Sequence, residues 1–573
     1  MCHYTCPCRT MTLETFKSEL GTRTMMKRAA ILTFYNPGNI GARYVAAALK
    51  AAGVEPYLIH VKQFYTEPWV RRDDLEHIRR VETDPIKKVR FTFPGWYAYA
   101  PYPMPITARE KELMADFLRS RQLDLIGLSL YTVNFDLARE MTAWLRREVP
   151  GVPILWGGIH PIVKPEECIG IADIVCVGEG EQPLAELVRR WDEYRRGENP
   201  PIEGFWYRRD GAIIRSPRPP LVTNLDSLPM PLYGCNEVLV DYDRLDERSL
   251  CDAEYLSRGT NLVVLTERGC PYACTFCIYS TLHGLYPGQP RFRRRSVENV
   301  LAEVEDRVSR LGLRHIIFHD EILGMQKEWV REFATTFKER FGRRGVTFTG
   351  YVHPLTTDEE SVRLLAEAGL TQTGIGLQSG SEYTSRQLYG RYHSPEKVVR
   401  LSQWIQKYKI SHVQVDLLVD NPYEREEHLR ETLDLLLRLE PPFEIALIGL
   451  VIYKECRLAE LPPPDFPYDE KMHLFYKMLF YLTGIADLDR KTIRAWSEDR
   501  YLREHPERLE EIAVALWDVY KKKRRAEKDL ATLRTAQPCP PPSPPCAEAP
   551  PHDSGHAFLR RLKRQLKSFF GLD

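Results

Sequence analysis

The chain has 573 residues, 43% of them hydrophobic and 28% charged, so it is long enough for several domains with buried cores. Its 80 lysines and arginines balance 79 aspartates and glutamates, which argues against a nucleic-acid-binding protein because phosphate neutralisation needs a basic excess. No stretch approaches the roughly 20 apolar residues of a membrane span. The N-terminal extension 1–27 lacks the apolar core of a signal peptide, so we expect a cytoplasmic protein with reduced cysteines.

The first predicted domain, residues 28–200, alternates β-branched runs with amphipathic helical stretches. This alternation predicts an α/β fold with a doubly wound parallel sheet. The predicted strands cover 29–34, 56–61, 124–130, 153–156 and 173–177. Residues 62–122 fit the alternation poorly and are interpreted as an aromatic-rich insertion without an assigned structure.

The second predicted domain, residues 256–456, contains six strand–helix units with short links, which predicts a partial or complete parallel barrel. An irregular connector with a hairpin at Arg209-Asp210-Gly211 precedes it. Composition and periodicity predict the remaining segments. These are the connector 201–255, a helical region 457–535, an extended proline-rich linker 536–555 and a basic amphipathic helix 556–573.

Three cysteines lie within eight residues, at Cys270, Cys274 and Cys277, directly after a predicted strand. Thiolates are soft ligands that select iron–sulfur clusters or zinc. Both sites commonly have four protein ligands, and no fourth cysteine or histidine is close in sequence. The alternatives are therefore a cluster with one open iron and a zinc site completed by a distant residue such as His283; the C-x3-C-x2-C spacing favours the cluster.

This segment resembles the signature of the radical S-adenosylmethionine (SAM) superfamily, C-x3-C-x-aromatic-C at the mouth of a βα barrel. The resemblance implies that Cys270, Cys274 and Cys277 hold a [4Fe–4S] cluster, whose open iron binds the amino and carboxylate groups of SAM. It also implies reductive cleavage of SAM to methionine and a 5′-deoxyadenosyl radical. Phe276 is expected to place its backbone near the adenine.

Two later segments lie where this superfamily binds SAM. Asp320 and Glu321 follow a predicted strand and are expected to meet the SAM ammonium, although such a pair also caps helices. Gln378, Ser379 and Ser381 belong to a segment that resembles the part contacting the SAM carboxylate and ribose, with an ordinary turn as the alternative. Residues 416–422 depart from the glycine-bearing strand end that is usual in the family.

Four loops follow strands of the first sheet, at the edge where open α/β sheets bind ligands. Glycines there let the backbone approach a bulky ligand, although each loop alone is also typical of a simple turn. The candidate binding residues are Asn36, Gly38, Ser129, Leu130, Tyr131, Gly157, Gly158, His160, Gly178 and Glu179.

Together with the cysteines, these loops resemble the cobalamin-binding radical SAM enzymes over about residues 28–455. The resemblance implies a flavodoxin-like cobalamin domain followed by a (βα)6-type partial TIM barrel. The D-x-H-x-x-G motif of cobalamin mutases is missing, so we expect no cobalt-ligating histidine from the Asn36 loop, and His160 is a cleft residue rather than a ligand.

The resemblance further implies a methyltransferase that uses the deoxyadenosyl radical and methylcobalamin on an unactivated carbon or, as an alternative, phosphorus. One competing interpretation is a cyclase or rearrangement enzyme without net methyl transfer. Others are a radical SAM enzyme that no longer binds cobalamin and an iron–sulfur electron carrier without enzymatic activity.

The expected partners are a small-molecule substrate and an external electron donor of the flavodoxin or ferredoxin type, with no nucleic acid. The amphipathic segment 556–573 suggests peripheral contact with a membrane surface or binding to a protein partner. A hydrophobic substrate would agree with contact at a membrane. Cys2, Cys6 and Cys8 form a poor site for an auxiliary cluster, and an upstream start codon explains them better.

Overall fold

The computed structural model describes residues 25–62, 70–71, 89–93, 96–100, 105–198, 200–234, 236–248, 263–391 and 394–535. The proline-rich linker, the amphipathic segment 556–573 and the N-terminal cysteines lie outside these residues. Both large sheets belong to one compact unit, which ends at Trp517.

The first sheet has a parallel core of five strands in flavodoxin-like order. In spatial order they are Glu55–Val61, Arg28–Phe34, Leu125–Ser129, Ile154–Gly157 and Ile174–Cys176. Their apolar side chains are buried on both faces, as expected for a sheet covered by helices. The helices are Ile40–Ala51, Ala108–Ser120, Phe135–Glu148, Ile159–Val163, Pro165–Ile169, Glu181–Arg189 and Trp191–Arg196.

The connector 201–255 departs from the prediction of an irregular segment, because it extends this sheet at both edges. The predicted hairpin is confirmed, and its strands Phe205–Arg209 and Ala212–Arg215 continue the sheet beyond Ile174–Cys176. At the other edge Glu237–Asp241 pairs in parallel with Glu55–Val61, and Arg244–Arg248 follows antiparallel. Edge strands expose unpaired N–H and C=O groups, which these segments satisfy.

The second sheet confirms the predicted partial barrel. Its six parallel strands neighbour one another in chain order, and they are Val263–Val264, His315–Phe318, Thr347–Val352, Leu370–Gln378, His412–Val419 and Glu444–Gly449. The helices between and beside them are Ile278–Leu285, Val297–Leu311, Lys327–Phe341, Glu359–Ala368, Pro395–Lys407 and Glu426–Leu436.

The insertion 62–122 contributes strands to this second sheet, which the sequence did not indicate. Val89–Phe93 pairs antiparallel with Glu444–Gly449, and Trp96–Ala100 and Val70–Arg71 follow. The insertion therefore connects the first domain to the last strand of the barrel.

The region after the barrel is helical, as predicted. Its helices are Glu470–Thr483, Arg490–Glu498, Arg500–Glu504 and Pro506–Thr535. Glu470–Thr483 is buried on most of its surface, including Lys477, which pairs with Asp420 at 2.5 Å. Within the described residues, no helix has the length and apolar character needed to cross a membrane.

Candidate cofactor site

A cavity of about 600 Å³ lies between the two sheets. The first sheet lines it with Ser129, Gly157 and Gly178, which end or follow parallel strands. The barrel side includes Ile278, next to Cys277, and Glu321, which follows the strand His315–Phe318. The carboxyl edges of both parallel sheets therefore share one cavity, where ligands of α/β proteins usually bind.

The three cysteines lie on a loop between the short strand Glu267–Gly269 and the helix Ile278–Leu285. Glycine is required at position 269, because its φ is +90° and a Cβ atom would lie 2.2 Å from the Arg291 carbonyl oxygen. Cys274 is buried, whereas Cys270 and Cys277 are half-buried. The loop is anchored to the barrel, since the Thr275 N–H donates to the Tyr389 carbonyl at 2.9 Å.

Burial opposes the thiolate form that a bound iron–sulfur cluster requires. Burial raises the pKa of Cys270 to about 11 and that of Cys277 to about 12, so the free thiols stay protonated. A bound metal would supply the positive charge that deprotonates them.

The alternative zinc site finds no support in this geometry. Among the described residues, no three histidine, cysteine or acidic side chains are grouped to hold a single metal ion. His283 hydrogen-bonds through Nε2 to the Cys270 carbonyl oxygen at 2.9 Å. A cluster spreads its thiolates over different irons, so the three cysteines need not converge on one point.

The two predicted acidic residues have different surroundings. Asp320 is buried and accepts hydrogen bonds from the Thr266 N–H and hydroxyl, both at 2.7 Å, and burial raises its pKa. Glu321 is exposed, lines the cavity and hydrogen-bonds to Tyr279. Both residues line the cavity, but Thr266 already donates to both Asp320 oxygens, so Glu321 is the better placed of the two to meet a cation there.

The segment Gln378–Ser381 follows a parallel strand, as predicted, but its serines point inward. Ser379 donates to Glu424 at 3.1 Å, and Ser381 Oγ accepts from the Thr384 N–H at 3.4 Å. Both serines are buried and are absent from the cavity wall, as are Gln378 and Phe276. Phe276 instead packs edge-on against Tyr389, with ring centroids 4.8 Å apart.

Arg391 is a residue beside the cysteines that sequence reasoning missed. Its guanidinium lies 3.8 Å from Cys274 Sγ and donates to the Gly376 carbonyl at 2.6 Å. It thereby joins the cysteine loop to the strand Leu370–Gln378. No motif marks this arginine, because the contact spans more than 100 residues of sequence.

Six of the ten predicted cobalamin residues line the cavity, and these are Ser129, Tyr131, Gly157, Gly158, Gly178 and Glu179. Asn36, Gly38, Leu130 and His160 lie outside its wall. Gly41 and Gly180 are further wall residues. A wall rich in glycine backbone fits the close approach of a large, flat cofactor.

Leu130 and His160 are buried beneath this wall. Gly158 has a φ of +96°, and a Cβ atom there would lie 2.7 Å from the Leu130 carbonyl oxygen. His160 packs against Phe135 at 4.7 Å between ring centroids, and burial lowers its pKa. These two residues therefore support the shape of the Gly157–Gly158 loop.

Glu179 is held by arginines of the barrel side. Arg293 donates to both of its carboxylate oxygens at 2.9 Å, and Arg268 lies 3.3 Å away. Burial opposes ionisation of Glu179, but these arginines outweigh it and lower its pKa. Arg268 also pairs with Glu181 at 2.5 Å. We name these four residues the interdomain clasp.

Comparison with known proteins agrees with both halves of this site. Residues 264–436 match the model of the radical SAM superfamily, and residues 103–188 match the model of the B12-binding domain. An uncharacterized methyltransferase of Pyrococcus horikoshii is 25% identical over 332 residues, which cover 57% of this chain and 67% of that protein.

Two further similarities extend the comparison. An anaerobic magnesium-protoporphyrin IX monomethyl ester cyclase of Synechocystis is 24% identical over 275 residues. The match covers 47% of this chain and 50% of the cyclase. The solved structure of the radical SAM methyltransferase TsrM from Kitasatospora setae, with cobalamin and a [4Fe–4S] cluster bound, has a TM-score of 0.54 at 19% identity. The structural match covers 76% of this chain and 74% of the TsrM chain, which shows a shared fold.

The domain pair, its order along the chain and the shared cavity agree with the expectation from the sequence. The chain therefore combines a domain that matches the B12-binding model with a following barrel that matches the radical SAM superfamily, which is the pairing expected of a cobalamin-binding radical SAM enzyme.

Proposed function

We propose that this enzyme is a cobalamin-dependent radical SAM methyltransferase that methylates an unactivated carbon or phosphorus of a small molecule. The observation that carries the proposal is the single cavity lined both by the strand-end loops of the B12-binding domain and by residues beside the cluster cysteines. Radical formation and methyl donation need this proximity, because both act on the same substrate atom.

The residues of this chain have distinct roles in the proposal. Cys270, Cys274 and Cys277 hold the cluster, and Glu321 binds the SAM ammonium. Ser129, Tyr131, Gly157, Gly158 and Gly178 form the cobalamin wall. When bound, these cofactors supply a 5′-deoxyadenosyl radical and a methyl group. The cavity lies between the two domains, so the bound cofactors and substrate would be held together and partly shielded from bulk solvent.

The decisive experiment is anaerobic incubation of the reconstituted enzyme with SAM, a reductant, methylcobalamin and a metabolite extract. We expect 5′-deoxyadenosine and a product heavier than its precursor by one methyl group. Cys274→Ala removes a buried cluster ligand, so deoxyadenosine should fall at least 100-fold. Cys456→Ala is the matched control, because Cys456 is equally buried but is not in the cysteine loop. Deoxyadenosine formation by Cys274→Ala would contradict the cluster assignment.

A second candidate function is cyclisation or rearrangement, favoured by the similarity to the magnesium-protoporphyrin ester cyclase. The same mass measurement separates the two reactions. Loss of hydrogen or gain of oxygen without a methyl group would favour the cyclase, and failure to retain any corrinoid would favour an enzyme that has lost cobalamin.

The external electron donor, of flavodoxin or ferredoxin type, belongs to the proposal because the cluster must be reduced before SAM is cleaved. Peripheral membrane contact through 556–573 and a hydrophobic substrate also remain part of the hypothesis. Sedimentation with anionic vesicles, comparing the full chain with a chain ending at residue 555, tests that contact.

A further inference from the structure

The helix Ile278–Leu285 forms part of the barrel-side wall of the cavity. It begins directly after Cys277, and the residues that line the cavity are Ile278, Tyr279, Leu282 and His283. This i, i+1, i+4, i+5 spacing places them on one helical face. Ile278 and Leu282 are aliphatic, so the polar side chains that this helix presents to the cavity are Tyr279 and His283.

Hydrogen bonding defines the state of the His283 ring. Its Nε2 lies 2.9 Å from the Cys270 carbonyl oxygen, and a carbonyl can only accept, so Nε2 carries the hydrogen. In the neutral imidazole, Nδ1 then presents a lone pair. The Nδ1 atom is buried and has no hydrogen-bond partner among the residues that the structure describes. Buried acceptors are rarely left unsatisfied, so this atom calls for a donor from the ligand.

We propose that His283 is a cobalamin-binding residue whose Nδ1 accepts a hydrogen bond from a side-chain amide N–H at the rim of the corrin ring. This inference rests on the proposed function. The corrin rim carries many amide donors, and the aliphatic Ile278 and Leu282 on the same helical face suit the ring itself. Because Nε2 binds the Cys270 carbonyl, the same ring links bound cobalamin to the cysteine loop.

Two substitutions separate the two ring nitrogens. His283→Gln places an amide N–H near the position of Nε2 and removes the acceptor at Nδ1. His283→Asn places an amide oxygen near Nδ1 and loses the bond to Cys270. The measurement is the affinity of the full-length, cluster-reconstituted protein for hydroxocobalamin without SAM, together with iron content and the electron paramagnetic resonance spectrum of the reduced cluster.

We expect His283→Gln to bind hydroxocobalamin about tenfold more weakly with unchanged iron content, the effect of one lost hydrogen bond to a buried acceptor. His283→Asn should retain most of the affinity and alter the cluster spectrum. Wild-type affinity in His283→Gln would overturn the inference, as would a loss confined to SAM binding in a parallel titration. Failure of the wild type to bind hydroxocobalamin would instead refute the proposed function itself.

Discussion

The Gly157–Gly158 loop and the Gly178–Glu181 loop follow neighbouring parallel strands, contain two glycines each and line the same cavity. Their contacts nevertheless differ. The first is uncharged and packs on the Leu130 backbone of its own domain. The second presents Glu179 and Glu181 to Arg268 and Arg293 of the barrel side. Two loops with similar sequence patterns thus shape the cofactor wall in one case and hold the domains together in the other.

Breaking the interdomain clasp should destabilise the protein more than any other change at these two loops. Arg293→Met removes the bidentate partner of Glu179 and leaves a buried carboxylate only partly paired. Loss of one partner of a buried pair costs about 3 kcal/mol. We expect a lower midpoint of thermal unfolding and weaker cobalamin binding, measured by calorimetry and hydroxocobalamin titration.

The control for this substitution is Arg215→Met, which removes an exposed ion pair with Glu166. Exposed pairs contribute little, so no change in the unfolding midpoint is expected. Equal losses in the two variants would show that the clasp has no special role.

A smaller effect is expected in the other loop. Gly158→Ala strains a φ of +96° and drives a Cβ atom against the Leu130 backbone. Gly151→Ala imposes similar strain, at a φ of +81°, but meets no atom within 4 Å. We expect Gly158→Ala to lower the free energy of unfolding by about 2 kcal/mol more than its control and to weaken hydroxocobalamin binding. If Gly158→Ala and Gly151→Ala lost the same free energy of unfolding, the loop would be shown to shift and relieve the contact with Leu130.

The smallest effect should be the pH dependence of the clasp. The arginines lower the pKa of Glu179 below its ordinary value of 4.5, despite its burial. The stabilisation is therefore complete above about pH 4.5 and is lost as the pH falls through the lowered pKa of the folded state. Unfolding midpoints of wild type and Glu179→Gln should converge in acid, and a gap that stays constant below pH 4.5 would contradict this linkage.

Much of the fold could be predicted because strands and helices leave local patterns. The cysteine loop was equally visible, since its ligands are close in sequence. The edge strands of 201–255 were missed because their pairing depends on partners up to about 180 residues away, such as Leu58 beside Glu237. Ser379 and Ser381 occupy the predicted segment, yet nothing local shows that their hydroxyls turn towards Glu424 and the following helical turn.

The order of the two domains, the alternation of strands and helices, and the spacing of Cys270, Cys274 and Cys277 can be read from the chain alone, because each depends on residues a few positions apart. Three contacts emerge only when the chain is folded: Glu179 pairs with Arg293, Arg391 reaches Cys274, and the helix after Cys277 lines the same cavity as the glycine loops. Those contacts join residues about 100 or more positions apart, and their partners are chosen by packing, which no local pattern records.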